Sequence, residues 1–184
     1  MQKILFLDRD GVINIERNYV HKKSQFIFIE DIFSTCLFFQ NQGFKIIVVT
    51  NQSGIARKYY SRDDFLSLSR WMIKKFKQRN IEILDVLFCP HHPDFSGQCD
   101  CRKPAPGLFL QAFKKYTVDL EESIMIGDKI SDIYAANEAG IDNAFLVKTG
   151  HSIPLTNELA AIQIFNNSSD IVNWYKNKQT SLQN

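Results

Sequence analysis

The sequence predicts an α/β fold built on one doubly wound parallel sheet. Short apolar runs, each suited to a strand that is covered on both faces, alternate along the chain with helical patterns. Such alternation is typical of a parallel sheet with helices on both of its faces. The predicted strands are 3–8, 45–50, 83–89, 123–128 and 143–147, and the predicted helices are 30–42, 62–79, 106–116 and 131–139.

Several of these helices carry recognisable end signals. Ser61 stands at the N-cap of helix 62–79, and Asp64 follows three residues later, which is the pattern of a capping box. Gly43 and Gly140 stand where helices commonly end. The tail, residues 156–184, is predicted to add a short strand (IQIF) and an amphipathic helix (DIVNWYKNK). The apolar residues expected on one face of helix 62–79 are Phe65, Leu68, Met72 and Phe76.

Composition is that of an ordinary globular protein, with 184 residues, 45% apolar and 23% charged, and predicts one domain over residues 1–184. A net charge of +2 without a basic stripe argues against a nucleic-acid partner. No apolar run approaches the roughly 20 residues of a membrane span, and the N-terminus does not have the pattern of a signal peptide. We therefore expect a cytoplasmic monomer whose cysteines are thiols or metal ligands.

Polar residues end four of the predicted strands at their carboxyl ends, where parallel sheets bind their ligands. We expect these residues to converge at one edge: Asp8, Thr50, Cys89 and Asp128. Carboxylate and carbonyl oxygens with room for water suit Mg²⁺, so Asp8, Asp10 and Asp128 predict a magnesium site. An EF-hand is excluded, because Val12 stands at its fifth position and no acidic residue stands at its twelfth.

Phosphate-binding groups are predicted at the same edge. After the hydroxyl of Thr50, the backbone of Asn51, Gln52 and Ser53 offers successive N–H groups that suit an anion. Arg102 and Lys103 precede a helix that begins near a proline, and a lysine there can neutralise phosphate charge. The Asp-x-Asp motif of a sugar-nucleotide transferase is the alternative, but it leaves Thr50, Lys103 and the third acidic residue without a role.

Together these segments resemble the four motifs of the haloacid dehalogenase (HAD) superfamily of phosphotransferases, over about residues 3–150. The motifs are Asp8-x-Asp10-Gly11, Thr50, Lys103 and Gly127-Asp128-x3-Asp132. The resemblance implies a Rossmann-like fold in which Asp8 attacks phosphorus and forms an aspartyl-phosphate. Asp10 would then act as general acid and base, with only its backbone carbonyl on the metal.

The remaining motif residues would serve the phosphoryl group and the Mg²⁺ ion. Thr50 and Lys103 would hold phosphoryl oxygens, Asp128 would bind the metal, and Asp132 would orient Lys103 or a water molecule. The chain leaves no room for a large cap domain, since 14–30 and 89–102 are the only insertions. An open edge of this kind suits a compact phosphate ester.

A cysteine-rich loop at 89–102 predicts a structural zinc site. Cys89, Cys99, Cys101 and one histidine form a Cys₃His set that suits tetrahedral Zn²⁺, whereas a Cys-x-Cys disulfide would be strained. Four unrelated residues are the alternative. His91 and His92 are both candidates, and resemblance to the zinc loop of histidinol-phosphate and heptose-bisphosphate phosphatases favours His91. The zinc would fix a loop that has little apolar surface of its own.

Two further segments, ERNYVHKKSQFIFIEDI and TNQSGIARKYYSRDDF, resemble the D-glycero-D-manno-heptose 1,7-bisphosphate 7-phosphatases. This implies removal of the 7-phosphate in the biosynthesis of heptose precursors for lipopolysaccharide core or surface-layer sugars. Arg57, Arg102 and Lys129 would supply cations for the second phosphate. Lys58 departs from the glycine often found there, which leaves the reach of Arg57 open. The implied substrate-binding residues are Asn18, Tyr19, Asn51, Gln52, Ser53, Arg57, Arg102 and Lys129.

Three other functions are alternatives to that of a heptose phosphatase. A histidinol-phosphate phosphatase of histidine biosynthesis shares the zinc loop but usually lacks the Asn-Tyr-Val stretch that begins at Asn18. A polynucleotide 3′-phosphatase shares Asp-x-Asp-Gly, but the weak positive charge disfavours it. A zinc-bearing binding module without catalysis would need to have lost chemical residues that are all present.

Overall fold

Six parallel strands form a single sheet in the computed structural model, which describes residues 1–153 and 162–182. The strands are β1 (Ile4–Leu7), β2 (Lys45–Asn51), β3 (Ile83–Cys89), β4 (Ile124–Gly127), β5 (Ala144–Val147) and β6 (Gln163–Phe165). Their order is β3-β2-β1-β4-β5-β6, so the chain builds outwards from β1 on one side and then crosses to the other. The strand order reverses between β1 and β4, which is where such sheets bind ligands.

Helices cover both faces of this sheet. The helices of the described residues are α1 (Ile32–Asn41), α2 (Arg62–Lys77), α3 (Pro93–Ser96), α4 (Gly107–Lys115), α5 (Ile130–Glu138) and α6 (Ser168–Leu182), of which α3 is a short helix in the cysteine-rich loop. Leu5 and Leu7 of β1 point to a core that contains Phe39 of α1, whereas Ile4 and Phe6 point to a core that contains α4 and α5. Both sides of β1 are fully buried, which explains its uninterrupted apolar sequence.

The end signals read from the sequence are present. Ser61 Oγ accepts a hydrogen bond from Asp64 N (3.1 Å), and Asp64 Oδ2 accepts one from Ser61 N (2.9 Å), so the predicted capping box is confirmed. Gly43 (φ +86°) and Gly140 (φ +89°) take the left-handed conformation after α1 and α5. The buried positions of α2 include the four predicted apolar residues, Phe65, Leu68, Met72 and Phe76.

The predicted α/β fold with a parallel sheet is confirmed, and the bounds of the five strands and four helices predicted before residue 150 differ from the observed ones by at most two residues. Two short elements were not predicted, the 3₁₀ turn Lys23–Gln25 and α3. The predicted tail strand and helix correspond to β6 and α6, while its residues 156–161 and 183–184 lie outside the described ranges. The extent of one domain over 1–184 therefore stays a prediction. Among the described residues, no helix is both long and apolar enough to cross a membrane.

Candidate active site

The carboxyl ends of the central strands open into a polar cavity of about 320 Å³. Asp8 follows β1, Asp128 follows β4, Thr50 is the next-to-last residue of β2, and Cys89 is the last residue of β3. All four therefore lie at the same edge of the sheet, as predicted, although Cys89 does not line the cavity. We call the following buried residues the floor: Asp8, Lys103 and Asp132, which line the base of the cavity, and Asp128, whose carboxylate lies within 4.8 Å of those of Asp8 and Asp132. We call the loop residues around its mouth the rim: Asn18, Tyr19, Arg57 and Arg102.

Lys103 lies at the centre of the floor and is 3% exposed. Its Nζ donates hydrogen bonds to Asp8 Oδ1 (3.0 Å) and to the Val49 carbonyl (2.7 Å), and it forms an ion pair with Asp132 Oδ1 (2.6 Å). Burial alone would lower the pKa of Lys103, but the Asp132 and Asp8 carboxylates outweigh it and raise that pKa above its ordinary value. Lys103 is therefore a fixed cation beside the Asp8 carboxylate.

The backbone of Lys103 is held by a side chain from β2. Asn51 Oδ1 accepts a hydrogen bond from Lys103 N (3.1 Å), and Asn51 Nδ2 donates one to Lys103 O (3.0 Å). Asn51 was predicted to bind substrate, and although it also lines the cavity, its amide is spent on docking the loop that carries Lys103. This contact fixes the lysine against the ends of the central strands.

Asp128 offers an oxygen that suits a metal ion. Its Oδ1 is buried without a hydrogen-bond partner, whereas Oδ2 accepts from His151 N (3.0 Å) and lies 2.7 Å from His151 Nδ1. Burial, together with the nearby Asp8 and Asp132 carboxylates, raises the pKa of Asp128 to about 6. A divalent cation would relieve this crowding of negative charge, and Mg²⁺ prefers oxygen ligands of this kind.

Ligand atoms of Asp8, Asp128 and Asp132 lie within 4.8 Å of one another. Asp132 is the least suited of the three to a metal, because Lys103 occupies its Oδ1 and the Lys129 backbone N–H donates to its Oδ2 (3.0 Å). Those two contacts place Asp132 behind Lys103, in keeping with the orienting role expected of it. The residues that fit Mg²⁺ are thus Asp8 and Asp128.

Two glycines allow the chain to approach the Asp128 carboxylate closely. A Cβ atom on Gly11, which has φ +86°, would collide with that carboxylate, and so would a Cβ on Gly150. Gly11 belongs to the turn that follows Asp10, and Gly150 belongs to the loop that follows β5. Glycine is required at both positions because any side chain would displace a group on the floor.

Asp10 lies beside the floor and is held by a complete set of donors. Arg9 donates from Nη2 to Oδ1 (2.9 Å) and to Oδ2 (2.8 Å), and its Nε lies 3.2 Å from Oδ2. Asn14 Nδ2 donates to Oδ1 (3.0 Å), and Gln52 Nε2 donates to Oδ2 (3.1 Å). Arg9 is only 1% exposed and also donates to the Val20 carbonyl (2.7 Å). The carboxylate is therefore fixed from three sides.

The rim is carried by loops. Asn18 (φ +52°) and Tyr19 (φ +58°) both take the left-handed conformation, and the Tyr19 ring contacts the Tyr59 ring edge to face at 4.7 Å. Arg102 Nη1 lies 3.4 Å from the His91 carbonyl oxygen. Ser53, Lys129 and the whole rim line the cavity, so the structure brings every predicted substrate residue to it.

Arg57 reaches the cavity even though the following residue is a lysine. Lys58 has φ +60°, so it takes the left-handed conformation that glycine would favour, and the loop keeps its path. The Arg57 guanidinium lies 4.6 Å from the Phe95 ring centroid, and its Nη2 lies 2.7 Å from His92 Nε2. Both partners belong to the cysteine-rich loop, which thus supports Arg57.

That loop gathers the four predicted zinc ligands, and it is His91 rather than His92 that joins the cysteines. Cys89 Sγ lies 3.6 Å from Cys99 Sγ and 3.1 Å from Cys101 Sγ, and His91 Nδ1 lies 3.3 Å from Cys101 Sγ. Zn–S bonds of about 2.3 Å imply sulfur–sulfur separations of roughly 3.8 Å in a tetrahedral site. Burial raises the pKa of the Cys89 thiol, and a bound metal would lower that pKa again by stabilising the thiolate. The cluster therefore fits Zn²⁺ with small movements.

Comparison with known proteins identifies the family. A HAD-hydrolase-like family model matches residues 100–166. A D-glycero-alpha-D-manno-heptose-1,7-bisphosphate 7-phosphatase from Photorhabdus laumondii is 45% identical over 170 residues, which cover 89% of this chain and 93% of that relative. A D-glycero-beta-D-manno-heptose-1,7-bisphosphate 7-phosphatase from Yersinia pestis is 42% identical, over 91% of this chain and 92% of the relative. The chain belongs to the heptose-bisphosphate phosphatase family of HAD-like hydrolases.

A solved member of this family has the same fold. The crystal structure of a D,D-heptose 1,7-bisphosphate phosphatase from B. bronchiseptica, complexed with magnesium and phosphate, superimposes with a TM-score of 0.83. It is 25% identical in sequence, and the match covers 96% of this chain and 99% of that one. The predictions of a HAD-like fold and of a phosphatase are confirmed. The roles of individual residues stay predictions.

Sequence reasoning missed several residues of this HAD-like phosphatase. Arg9 was ignored between two aspartates, although a charged residue inside a buried motif is itself a signal, because Arg is rarely buried without a partner. His151 and Tyr60 carried no signal, since nothing local in the sequence ties them to Asp128 or Gln52. The cavity-lining residues that were not predicted are Glu16, Tyr60, His92, Ser131 and His151.

Proposed function

We propose that this phosphatase removes the 7-phosphate of D-glycero-D-manno-heptose 1,7-bisphosphate by a Mg²⁺-dependent route through an aspartyl-phosphate on Asp8. The observation that carries the proposal is the Asp8 carboxylate, fixed at 3.0 Å from buried Lys103 at the floor of a cavity whose mouth carries further cations. The names of relatives with more than 40% identity support the choice of substrate. The product would serve the biosynthesis of heptose precursors.

Asp8 is placed to act as the nucleophile. A bond forms between a carboxylate oxygen of Asp8 and phosphorus, and the bond between phosphorus and the sugar oxygen breaks. Lys103 keeps its positive charge beside Asp8 and would hold a phosphoryl oxygen as negative charge shifts. Thr50, near the end of β2, is the second residue proposed to contact the phosphoryl oxygens, together with the N–H groups of the loop that follows β2.

Asp10 would give a proton to the departing sugar oxygen and then take one from the water that hydrolyses the aspartyl-phosphate. Its position one residue beyond the Asp8–Arg9 pair puts it beside the reacting group, and Arg9, Asn14 and Gln52 hold it there. The water oxygen becomes part of the released phosphate, and Asp8 is regenerated. No outside reactant other than water is needed.

Asp8, Asp128 and the backbone carbonyl of Asp10 would hold the Mg²⁺ ion. When bound, it supplies positive charge for the phosphoryl oxygens and screens the neighbouring carboxylates from one another. The unpartnered Asp128 Oδ1 supports this assignment. His151 contacts the other oxygen of Asp128 through its backbone N–H and its ring, so it would orient this carboxylate as a ligand.

The mouth of the cavity suits the rest of a sugar bisphosphate. Arg57, Arg102 and Lys129 bring three cations to it, which matches a second phosphate, and Asn18 and Tyr19 line the same cavity and would face the sugar. A volume of about 320 Å³ suits a compact ester. The Cys₃His cluster would bind a structural Zn²⁺, because its four protein ligands leave no open position.

A phosphate-release assay tests the function. Wild-type protein with Mg²⁺ should release phosphate from the heptose bisphosphate with a kcat/KM well above that for histidinol phosphate. Asp8→Asn should lower this rate by about 10⁴-fold or more, as loss of a nucleophile does. Asp63→Asn, an exposed change in the first turn of α2, is the matched control and should leave the rate unchanged. A tenfold preference for histidinol phosphate would overturn the substrate.

Magnesium binding tests the ligand assignment separately from activity. Calorimetric titration of Mg²⁺ should show much weaker binding to Asp128→Asn, because that variant replaces the carboxylate that carries the unpartnered oxygen. Asp10→Asn should bind Mg²⁺ nearly as well as wild type, since it keeps the backbone carbonyl. Loss of Mg²⁺ binding in Asp10→Asn would contradict the carbonyl assignment.

A further inference from the structure

A buried chain of hydrogen bonds leads from Tyr60 to the Asp10 carboxylate. The Tyr60 hydroxyl donates to Gln52 Oε1 (2.6 Å). Gln52 Nε2 in turn donates to Asp10 Oδ2 (3.1 Å) and to Thr50 Oγ1 (3.0 Å). Gln52 is 2% exposed, and both of its N–H groups are used inside the protein. The side chain of Gln52 therefore has no donor left for a substrate, although the family resemblance placed it among the substrate-binding residues.

The orientation of the Gln52 amide decides whether this chain helps or harms Asp10. An amide has a donor side and an acceptor side of nearly equal shape, and an ionised carboxylate can only accept. If the amide turned over, Gln52 Oε1 would face Asp10 Oδ2, and two acceptors would repel each other. Thr50 would then have to donate its own proton to Gln52, which would remove that proton from a phosphoryl group.

The Tyr60 hydroxyl stabilises the orientation in which Gln52 Nε2 faces Asp10. In that orientation the hydroxyl donates to Gln52 Oε1, whereas a turned-over amide would present Nε2 to it and offer its proton no acceptor. Burial raises the pKa of Tyr60 to about 12, against an opposing effect of Arg9, which keeps the proton on the hydroxyl. The ring itself is well anchored. It is 7% exposed, it stacks on the His21 ring with centroids 5.1 Å apart, and a Cβ on Gly54 would collide with it.

We propose that Tyr60 is a positioning residue that acts through Gln52 to hold Asp10 in place for proton transfer to the leaving sugar oxygen. Tyr60 thereby joins three chain segments, since it follows the Ser53–Gly54 turn, contacts His21 of the 14–30 segment and reaches the Asp-x-Asp turn through Gln52. The inference rests on the proposed general-acid role of Asp10, and the experiment below separates the two.

The test compares two phosphate esters that differ in their need for an acid. A sugar phosphate leaves as an alkoxide and needs a proton, whereas p-nitrophenyl phosphate leaves as a stable phenolate and does not. Single-turnover rates with enzyme in excess isolate the first step for each ester. The readout is the rate for the sugar phosphate divided by the rate for p-nitrophenyl phosphate. Changes at Thr50 or in the phosphoryl contacts affect both rates and cancel in this ratio.

We expect Tyr60→Phe to lower this ratio about tenfold, a fraction of the roughly 10²–10⁴-fold that general acid catalysis contributes. The KM for the sugar phosphate should stay unchanged, since the hydroxyl donates its proton to Gln52 and phenylalanine keeps the ring that lines the cavity. Tyr116→Phe is the matched control, because it also removes a tyrosine hydroxyl that donates to a side chain, Asp85 Oδ2 at 3.2 Å, but does not line the cavity. Its ratio should equal that of wild type.

Asp10→Asn calibrates the experiment and should lower the ratio further than Tyr60→Phe. If Asp10→Asn lowers the ratio and Tyr60→Phe does not, Tyr60 has no positioning role and the general-acid role stands. An equal fall of both rates in Tyr60→Phe would mark it as merely structural and would also overturn the inference. If Asp10→Asn itself leaves the ratio unchanged, the general-acid role fails and the inference fails with it.

Discussion

The floor and the rim of the cavity are built in opposite ways. The floor residues are 1–5% exposed, they sit at strand ends or on α5 and the segment before α4, and each carboxylate is tied to a lysine, a histidine or a backbone N–H group. The rim residues stand on loops, and Tyr19 is 37% exposed. The fixed floor suits a reaction common to many phosphate esters, whereas the loop-borne rim suits the choice among them.

The largest effect should come from breaking the floor. Lys103→Met keeps the length of the side chain but leaves the Asp8 and Asp132 carboxylates without their cation. We expect the rate of phosphate release to fall about 10³-fold, as it does when a charge that stabilises the transition state is removed. The free energy of unfolding should fall by about 3–5 kcal/mol, because buried charges are left unpaired. Steady-state assays and urea unfolding measure the two effects.

Lys115→Met is the matched control for that change. Lys115 also pairs with a carboxylate, Asp85 at 2.9 Å, but its side chain is 53% exposed. Surface pairs of this kind contribute about 0–1 kcal/mol, so its stability and rate should stay close to wild type. A Lys103→Met variant that kept a rate within threefold of wild type would show that Lys103 does not serve the phosphoryl group.

Removal of zinc should affect the cysteine-rich loop and Lys103 more than the two carboxylates proposed to hold Mg²⁺. Cys101→Ser, or chelation of the wild-type protein, should loosen residues 89–103 and lower the rate about a hundredfold, the cost of misplacing groups by about 1 Å. The Mg²⁺ affinity should persist, since Asp8 and Asp128 lie on the central strands. Hydrogen exchange of 89–103, the rate and a Mg²⁺ titration are the measurements.

Cys36→Ala separates loss of zinc from loss of a cysteine. Cys36 lies in α1, is fully buried in the core and takes no part in the Cys₃His cluster. This variant should therefore keep its zinc content even if it is less stable. Full activity in a sample of wild-type protein verified to be free of zinc would contradict the positioning role of the loop.

The same contrast explains what could be predicted from the sequence. Asp8 and Asp128 could be located because a strand end is a local pattern, and the carboxyl ends of parallel strands meet at one edge. The hydrogen bonds that hold the Asp10 carboxylate could not be predicted, because they depend on Arg9 folding back on its neighbour and on Gln52, which is distant in sequence. The reach of Arg57 depends on His92 and Phe95, two residues whose approach follows only from the packed loops.

A conservative change at the rim should alter substrate choice without stopping the chemistry. Arg57→Lys keeps the charge but loses the planar guanidinium that lies over Phe95 and against His92. We expect kcat/KM for the heptose bisphosphate to fall about tenfold, the value of roughly one charge-assisted hydrogen bond. The rate for a monophosphate of the same sugar, which has no second phosphate, should change little.

Arg62→Lys serves as the control for Arg57→Lys. Arg62 also lies over an aromatic ring, that of Phe88 at 5.4 Å, but it does not line the cavity. Its kcat/KM for both esters should equal the wild-type value. Equal losses for the bisphosphate and the monophosphate in Arg57→Lys would mean that Arg57 supports the loop and does not contact a second phosphate.

The smallest effect concerns backbone strain in the rim and at Lys58, which follows Arg57. Asn18, Tyr19 and Lys58 are three of the four non-glycine residues with positive φ in the described ranges, and the fourth is Asn80 after α2. Lys58→Gly should raise the free energy of unfolding by about 0.5–1 kcal/mol. The left-handed conformation costs a residue with a side chain about 1–2 kcal/mol, and glycine removes that cost, but the larger backbone entropy that glycine loses on folding cancels part of the gain. Asn80→Gly is the control and should gain less, since asparagine tolerates this conformation. A thermal unfolding midpoint for Lys58→Gly below that of wild type would mean that Lys58 makes contacts worth more than the strain it bears.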